Sequence, residues 1–223
     1  MASRTVLVPP ARVQRWLENF ASRHGRTDLR VGDGRLVVSG QDGAVATLGL
    51  PFGRRYDGPA EAPAFAEMAR APYDWGLLLV RKGGFAVATV RGTGLRSSKV
   101  GQRHVQGRTK AGGQSQQRFA RRRDNQARQA YEAAAEHAHR LLVAEVSSLS
   151  ALVCGGDRQA VEQVLADRRL SGVAALRVDP WLAVPDPRRA VLEQAAVDGS
   201  SVSVTVTEDV EGPVLSGPTS SPR

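Results

Sequence analysis

The chain contains a single cysteine, Cys154, so no disulfide can form within it. Aromatic residues fill only 5% of its 223 positions, so a core must be built mainly from Val, Leu and Ala. No apolar run approaches the roughly 20 residues that a membrane span requires. The N-terminus shows no charged start followed by a long apolar stretch, so no signal peptide is expected. Together these absences set the expectation of a soluble, cytoplasmic protein with no membrane partner. Lysine is scarce as well, with 3 residues against 28 arginines. That imbalance partly reflects a bias of composition, so it is not read as a sign of bidentate phosphate recognition.

The most informative absence is local. From Trp75 to Arg123 there is no Asp or Glu, and the same stretch carries 12 Arg and Lys residues. Outside it, 19 basic residues face 22 acidic ones, a balance of −3. One segment therefore supplies the whole net charge of +9. A concentrated basic field beside an ordinary domain points to a polyanionic partner.

The rest of the composition is that of a folded chain, 41% hydrophobic and 24% charged. Its length suits one large domain, or a domain with an appended subdomain. Val13, Trp16, Leu17 and Phe20 share one face of a helix predicted from Ala11 to His24, which Gly25 closes. Leu36 to Val38 and Ala44 to Leu50 read as strands joined by the loop Gly40 to Gly43. A connection with one short helix near Ala64 to Ala69 follows. Gly76 to Val80 and Phe85 to Val90 read as a buried hairpin. From Gly92 to Gln117 the pattern vanishes, and a loop of that length is usually functional or disordered. A long helix comes next, with Ala127, Ala130, Tyr131, Ala134, Ala138, Leu141 and Leu142 on one face. Beyond it we expect strands at Ser150 to Val153 and Val173 to Val178, and helices at Arg158 to Ala166 and from Asp186-Pro187 to Ala196. A final strand is expected at Ser201 to Thr207. Strands alternating with helices argue an α/β layered fold.

The long loop holds the sequence Gly107-Arg108-Thr109-Lys110-Ala111-Gly112-Gly113-Gln114-Ser115-Gln116-Gln117-Arg118-Phe119. Gly-Gly-Gln alone is a weak signal, but its setting is specific. It lies after a hairpin, inside the acid-free stretch, directly before a helix headed by Arg118, Arg121, Arg122 and Arg123. Positive charge there opposes the helix dipole, and an external anion accounts for it better than a solvated helix start. Glutamine is neutral and cannot serve as a base near neutral pH. It can both donate and accept hydrogen bonds, and so orient a water against an ester carbonyl. The two glycines remove bulk and permit positive φ, so the loop can thread a narrow site.

These residues, with Gly92-Thr93-Gly94, Gly101-Gln102-Arg103-His104 and Asn125-Gln126, resemble the Vms-type release-factor family of peptidyl-tRNA hydrolases, in its bacterial, actinobacterial branch. That family is related to the catalytic middle domain of archaeal and eukaryotic peptide-chain release factors. The resemblance is strongest from about Arg91 to Leu142. It implies a mixed sheet flanked by helices, release-factor middle-domain-like (RNase H-like), with a long mobile glycine-rich basic loop. It also implies Gln114 as the catalytic residue, with Gly112 and Gly113 as its flexible neighbours. The implied partners are the rRNA of the large ribosomal subunit and peptidyl-tRNA, contacted by Arg96, Lys99, Arg103, Arg108, Lys110, Arg118, Arg121, Arg122 and Arg123. No DNA, metal or cofactor is implied. On this reading 1–74 is an N-terminal helix-plus-strands portion packed on the core, 75–210 the catalytic domain and 211–223 a disordered tail.

Two rival readings stand beside it. A glycine-rich basic loop also suits a non-catalytic ribosome- or RNA-binding factor. A metal-dependent nuclease needs clustered carboxylates, which the acid-free centre of the chain does not offer. Gly92-Thr93-Gly94 is a poor dinucleotide fingerprint, because position 97 is Ser. His137 and His139 lie two apart on a helix and do not form a metal pair. His24 is expected at a helix cap or on the surface, and Cys154 as a small core residue.

Overall fold

Spacings of four, three and four separate Val13, Leu17, Phe20 and His24, and these four form the buried stripe of helix α1 (Val13–His24). Gly25, at φ +75°, ends the helix in a conformation that other residues resist. The structure is a computed structural model that describes residues 2–102 and 114–208, without the side chains of 102 and 114–127. In chain order the strands are β1 (Ala2–Val8), β2 (Thr27–Gly32), β3 (Arg35–Gly40), β4 (Val45–Gly49), β5 (Asp74–Arg81), β6 (Gly84–Arg91), β7 (Gly94–Gln102), β8 (Leu152–Gly156), β9 (Arg177–Leu182) and β10 (Val202–Glu208). The helices after α1 are α2 (Ala62–Arg70), α3 (Gln114–Leu142), α4 (Arg158–Leu165), α5 (Ser171–Ala174) and α6 (Arg189–Gly199).

The strands form two five-stranded sheets. The first is antiparallel throughout, in the order β1-β10-β4-β3-β2. One face of it packs against α1 and α2, burying Leu36, Leu48, Phe65 and Val204 among others. His24 is buried here, contrary to expectation. Its ring lies 4.3 Å from that of Phe20, and its Nδ1 is 2.8 Å from Asp42 Oδ2. Asp42 Oδ1 also accepts the Ala44 N–H at 3.1 Å. One carboxylate thus closes the β3–β4 turn and fastens the end of α1 to it. The His24 hydrogen bond, with help from Ala44, holds the Asp42 carboxyl below its usual range.

The second sheet is mixed, in the order β7-β6-β5-β8-β9. Only β6 runs against the other four strands. The unbroken apolar run of β5 has a physical cause, since both faces of the strand are covered. Leu78 and Val80 join a core with α3, α4 and α5, while Leu77 and Leu79 join one with α6. Each such side chain contributes about 1.5–3 kcal/mol by leaving water. Ala134, Ala138 and Leu142 continue a row at four-residue spacing along the sheet-facing side of α3.

The expected mixed α/β arrangement is present, with several corrections to its parts. Gly94–Gln102 is not loop but the edge strand β7. The strand expected at Val173 to Val178 begins later, at Arg177, because Ser171–Ala174 is a helical turn. Helix α6 starts at Arg189, with Arg188 and not Asp186 before its first residue. Asp186 is instead drawn to Arg81, whose Nε lies 3.5 Å from its Oδ1. The strands β1 and β2 are additions to the expected set, and β10 pairs with the N-terminal strands. Residues 211–223, the expected tail, lie outside the described residues.

Candidate nucleic-acid interface

The edge strand β7 and the helix α3 flank the segment 103–113, so the sequence between them connects a sheet edge to the head of a 29-residue helix. Gln114 is the first residue of that helix. Arg118, Arg121, Arg122 and Arg123 follow within its first three turns, and the first turn contains no acidic residue. Gly112, Gly113, Arg103, Arg108 and Lys110 lie outside the described residues, as do the side chains of Gln114 and these four arginines. Gln114 precedes Ala130, a buried residue of α3, by about 24 Å of helix axis at 1.5 Å per residue.

The base of α3 is held firmly. Arg169 reaches Glu136 Oε2 on α3 at 3.0 Å and grips Asp167 Oδ2 at 2.8 Å. Its hydrogen bonds lower the Asp167 carboxyl to about 2. At the next residue of α3, His137 stacks on Phe85 at the start of β6, with ring centroids 5.5 Å apart. Arg140 Nη2 lies 3.1 Å from His137 Nδ1. A guanidinium only donates, so Nδ1 accepts and the imidazole is neutral. Burial, then the charges of Arg140 and Lys99, pushes the His137 ring below its ordinary value.

Two of the expected RNA-contacting side chains are described. Lys99, on β7, is exposed and has no carboxylate partner among the described residues. Arg96 is also exposed, but its Nη1 lies 3.3 Å from Asp74 Oδ1. Arg91 binds the other oxygen of the same carboxylate at 2.8 Å. Two guanidiniums therefore share one half-buried acid, which leaves one uncompensated charge at that end of the sheet. Sequence reasoning did not single out Asp74 as their organiser. The available signal was its place directly before the acid-free stretch. Among the described residues no three His, Cys, Asp or Glu side chains cluster as metal ligands, and no helix is long and apolar enough to cross a membrane.

Residues 73–205 match the family profile described as the Actinobacteria/chloroflexi VLRF1 release factor. No curated protein matches the chain by sequence. Among solved structures, the archaeal translation termination factor aRF1 aligns at 12% identity with a TM-score of 0.43, over 86% of this chain and 63% of that one. A structure described only as an archaeal protein aligns at 12% identity with a TM-score of 0.39 and the same two coverages. The chain thus spans less than two thirds of the length of either. The profile match takes in both the acid-free segment and the sheet and helix that carry it, well over half of the sequence, and the chain belongs to the Actinobacteria/chloroflexi VLRF1 release factor family.

Proposed function

We propose that this protein is a peptidyl-tRNA hydrolase acting on ribosome-bound peptidyl-tRNA in ribosome rescue or quality control. The observation that carries the reading is the place of Gly112-Gly113-Gln114. Gln114 opens a long helix, and in sequence the motif lies inside the acid-free stretch that supplies the net positive charge of the chain. In this reading the cations of the segment neutralise rRNA and tRNA phosphates on the large subunit. Gln114 then aligns a water on the ester carbonyl between peptide and tRNA, and a backbone N–H beside it stabilises the developing oxyanion. Water adds across the acyl–oxygen bond, giving a peptide carboxylic acid and a free tRNA 3′ end. The terminal ribose hydroxyls handle the proton, so the chemistry draws on no metal or cofactor.

The finer structural expectations belong to the same proposal. The order of the second sheet, with β6 alone reversed, supports an RNase H-like, release-factor middle-domain-like reading. The catalytic domain is assigned to 75–210 and the packed N-terminal portion to 1–74, with β10 lent to the first sheet. A translation factor of this kind works in the cytoplasm.

The test is a release assay on ribosomal particles carrying peptidyl-tRNA. Gln114→Ala is expected to cut release at least about a hundredfold while particle binding persists. Undiminished release by that variant would refute hydrolysis through Gln114 and leave a non-catalytic ribosome- or RNA-binding factor.

A further inference from the structure

A cavity of about 320 Å³ lies beside the turn that follows β6, walled by Pro10, Pro51, Phe52 and Tyr73 and bordered by Arg70 and Arg91. That volume is at the small end of ligand sites. No acidic residue lines it. Arg54 stacks on Tyr73, with its guanidinium carbon 3.7 Å from the ring centroid. The Nη1 of Arg54 is shut from solvent and makes no hydrogen bond. Among the described residues neither Arg54 nor Arg70 has a carboxylate partner; Arg70 binds only the Gln14 amide oxygen, at 3.2 Å. Arg91 has half of Asp74. The field at the cavity is therefore positive while its walls are aromatic and apolar.

The backbone is also forced there. Phe52 adopts φ +63° and ψ +24°, a left-handed conformation that a bulky side chain resists, and its ring lies 5.2 Å from that of Trp75. Strain of this kind persists where surrounding structure imposes it, and it gathers at ligand clamps. Gly92, at φ +58°, supplies the adjoining β6–β7 turn, and its carbonyl accepts the Trp75 indole N–H at 2.9 Å.

We propose that this cavity takes one nucleotide of single-stranded RNA, its base against Tyr73 and Phe52 and its phosphate at Arg70 and Arg91. Aromatic walls accept any base by stacking, and the guanidiniums take the backbone charge. The inference rests on the reading of RNA as the partner and adds a second anchor to it. The cavity borders the start of β7, whereas the sequence that leads to Gly-Gly-Gln leaves from the strand's far end, about 26 Å away at 3.3 Å per residue. An anchor so placed holds RNA at a point of the protein separate from the Gly-Gly-Gln motif.

The experiment titrates the full chain with an eight-nucleotide single-stranded RNA carrying 2-aminopurine, whose fluorescence is quenched by stacking. A parallel arm photocrosslinks the same RNA carrying 4-thiouridine and maps the adducts by mass spectrometry. We expect quenching on binding, adducts on the peptides holding Phe52 or Tyr73, and about tenfold weaker binding for Arg70→Glu, an exposed position that folding tolerates. Tyr73→Ala is expected to abolish the quenching. If adducts form only within 103–123 and Arg70→Glu binds like wild type, the cavity assignment is overturned while the RNA reading stands. If the RNA does not bind at all, both fall. Competition by free AMP at concentrations well below those of the oligonucleotide assigns the cavity to a free nucleotide and overturns the RNA anchor. Displacement by an acidic peptide, with no adducts at Phe52 or Tyr73, overturns it in favour of a protein partner.

Discussion

Cys154 lies within β8 with 1% of its surface exposed, and burial pushes its thiol up to about 12. Loss of thiolate solvation is the main cause, and the nearby Arg177 opposes it without reversing it. The folded chain keeps this proton through a range in which an unfolded thiol, near 9.0, has released it. The stabilisation is therefore complete below about pH 9 and is lost as pH rises toward about 12. Within that window the group removes about 1.4 kcal/mol per pH unit. Cys154→Ala is expected to flatten the alkaline decline of stability measured by urea unfolding, and the native thiol to resist labelling at pH 8 until denaturant is added. Rapid labelling of the native chain would contradict the burial. The sequence marks Cys154 as core because its neighbours Leu152 and Val153 are apolar. It misplaces His24 because the carboxylate that makes burial tolerable, Asp42, arrives from a hairpin that only the fold brings near.

Among the elements, legibility follows position in the sheet. The central strands β3, β4, β5, β6 and β8 leave apolar runs or alternation that periodicity detects. The strands missed or shifted are β1, β2, β7 and β9, the four sheet edges. An edge strand pairs through its backbone on one side only and meets water elsewhere, so its side chains carry little pattern. β7 reads GLRSSKVGQ, polar and glycine-rich, and so resembles the loop it leads into. The Gly-Gly-Gln motif is legible because it is contiguous; the cavity at Phe52 and Tyr73 is not, because separate stretches wall it. Helix α3 supports two predictions. Ala138 is fully buried against the sheet, so Ala138→Leu forces the helix outward and costs about 1–3 kcal/mol in denaturant unfolding. At the other end of α3, Arg121, Arg122 and Arg123 crowd positive charge near a helix start, where the macrodipole disfavours it. Replacing all three with Gln is expected to weaken RNA binding and to make the salt dependence shallower by about 2–3 logarithmic units. An unchanged slope means that these side chains touch no phosphate.

Across the whole molecule, the decisive strand is the last one. β10 follows the second sheet in sequence, yet it sits between β1 and β4 in the first. Val202 and Val204 are fully buried there beside Leu48 and Leu36. Without β10, β1 has no partner and β4 presents an open edge, a configuration prone to aggregation. The N-terminal portion is therefore contiguous in sequence but incomplete as a structure. A fragment of residues 1–74 is expected to lack a cooperative thermal transition by circular dichroism. The register offers a repair, because Glu208 pairs with Ala2 across an antiparallel ladder. Joining residues 201–208 through Asn-Gly to residues 2–74 places a two-residue hairpin turn at that pair. The permuted fragment regains the missing strand, and a cooperative melt and a monomeric elution volume are expected of it. Cooperative melting by the unmodified 1–74 fragment shows instead that β10 is dispensable, and that the two halves are joined by less than this sheet.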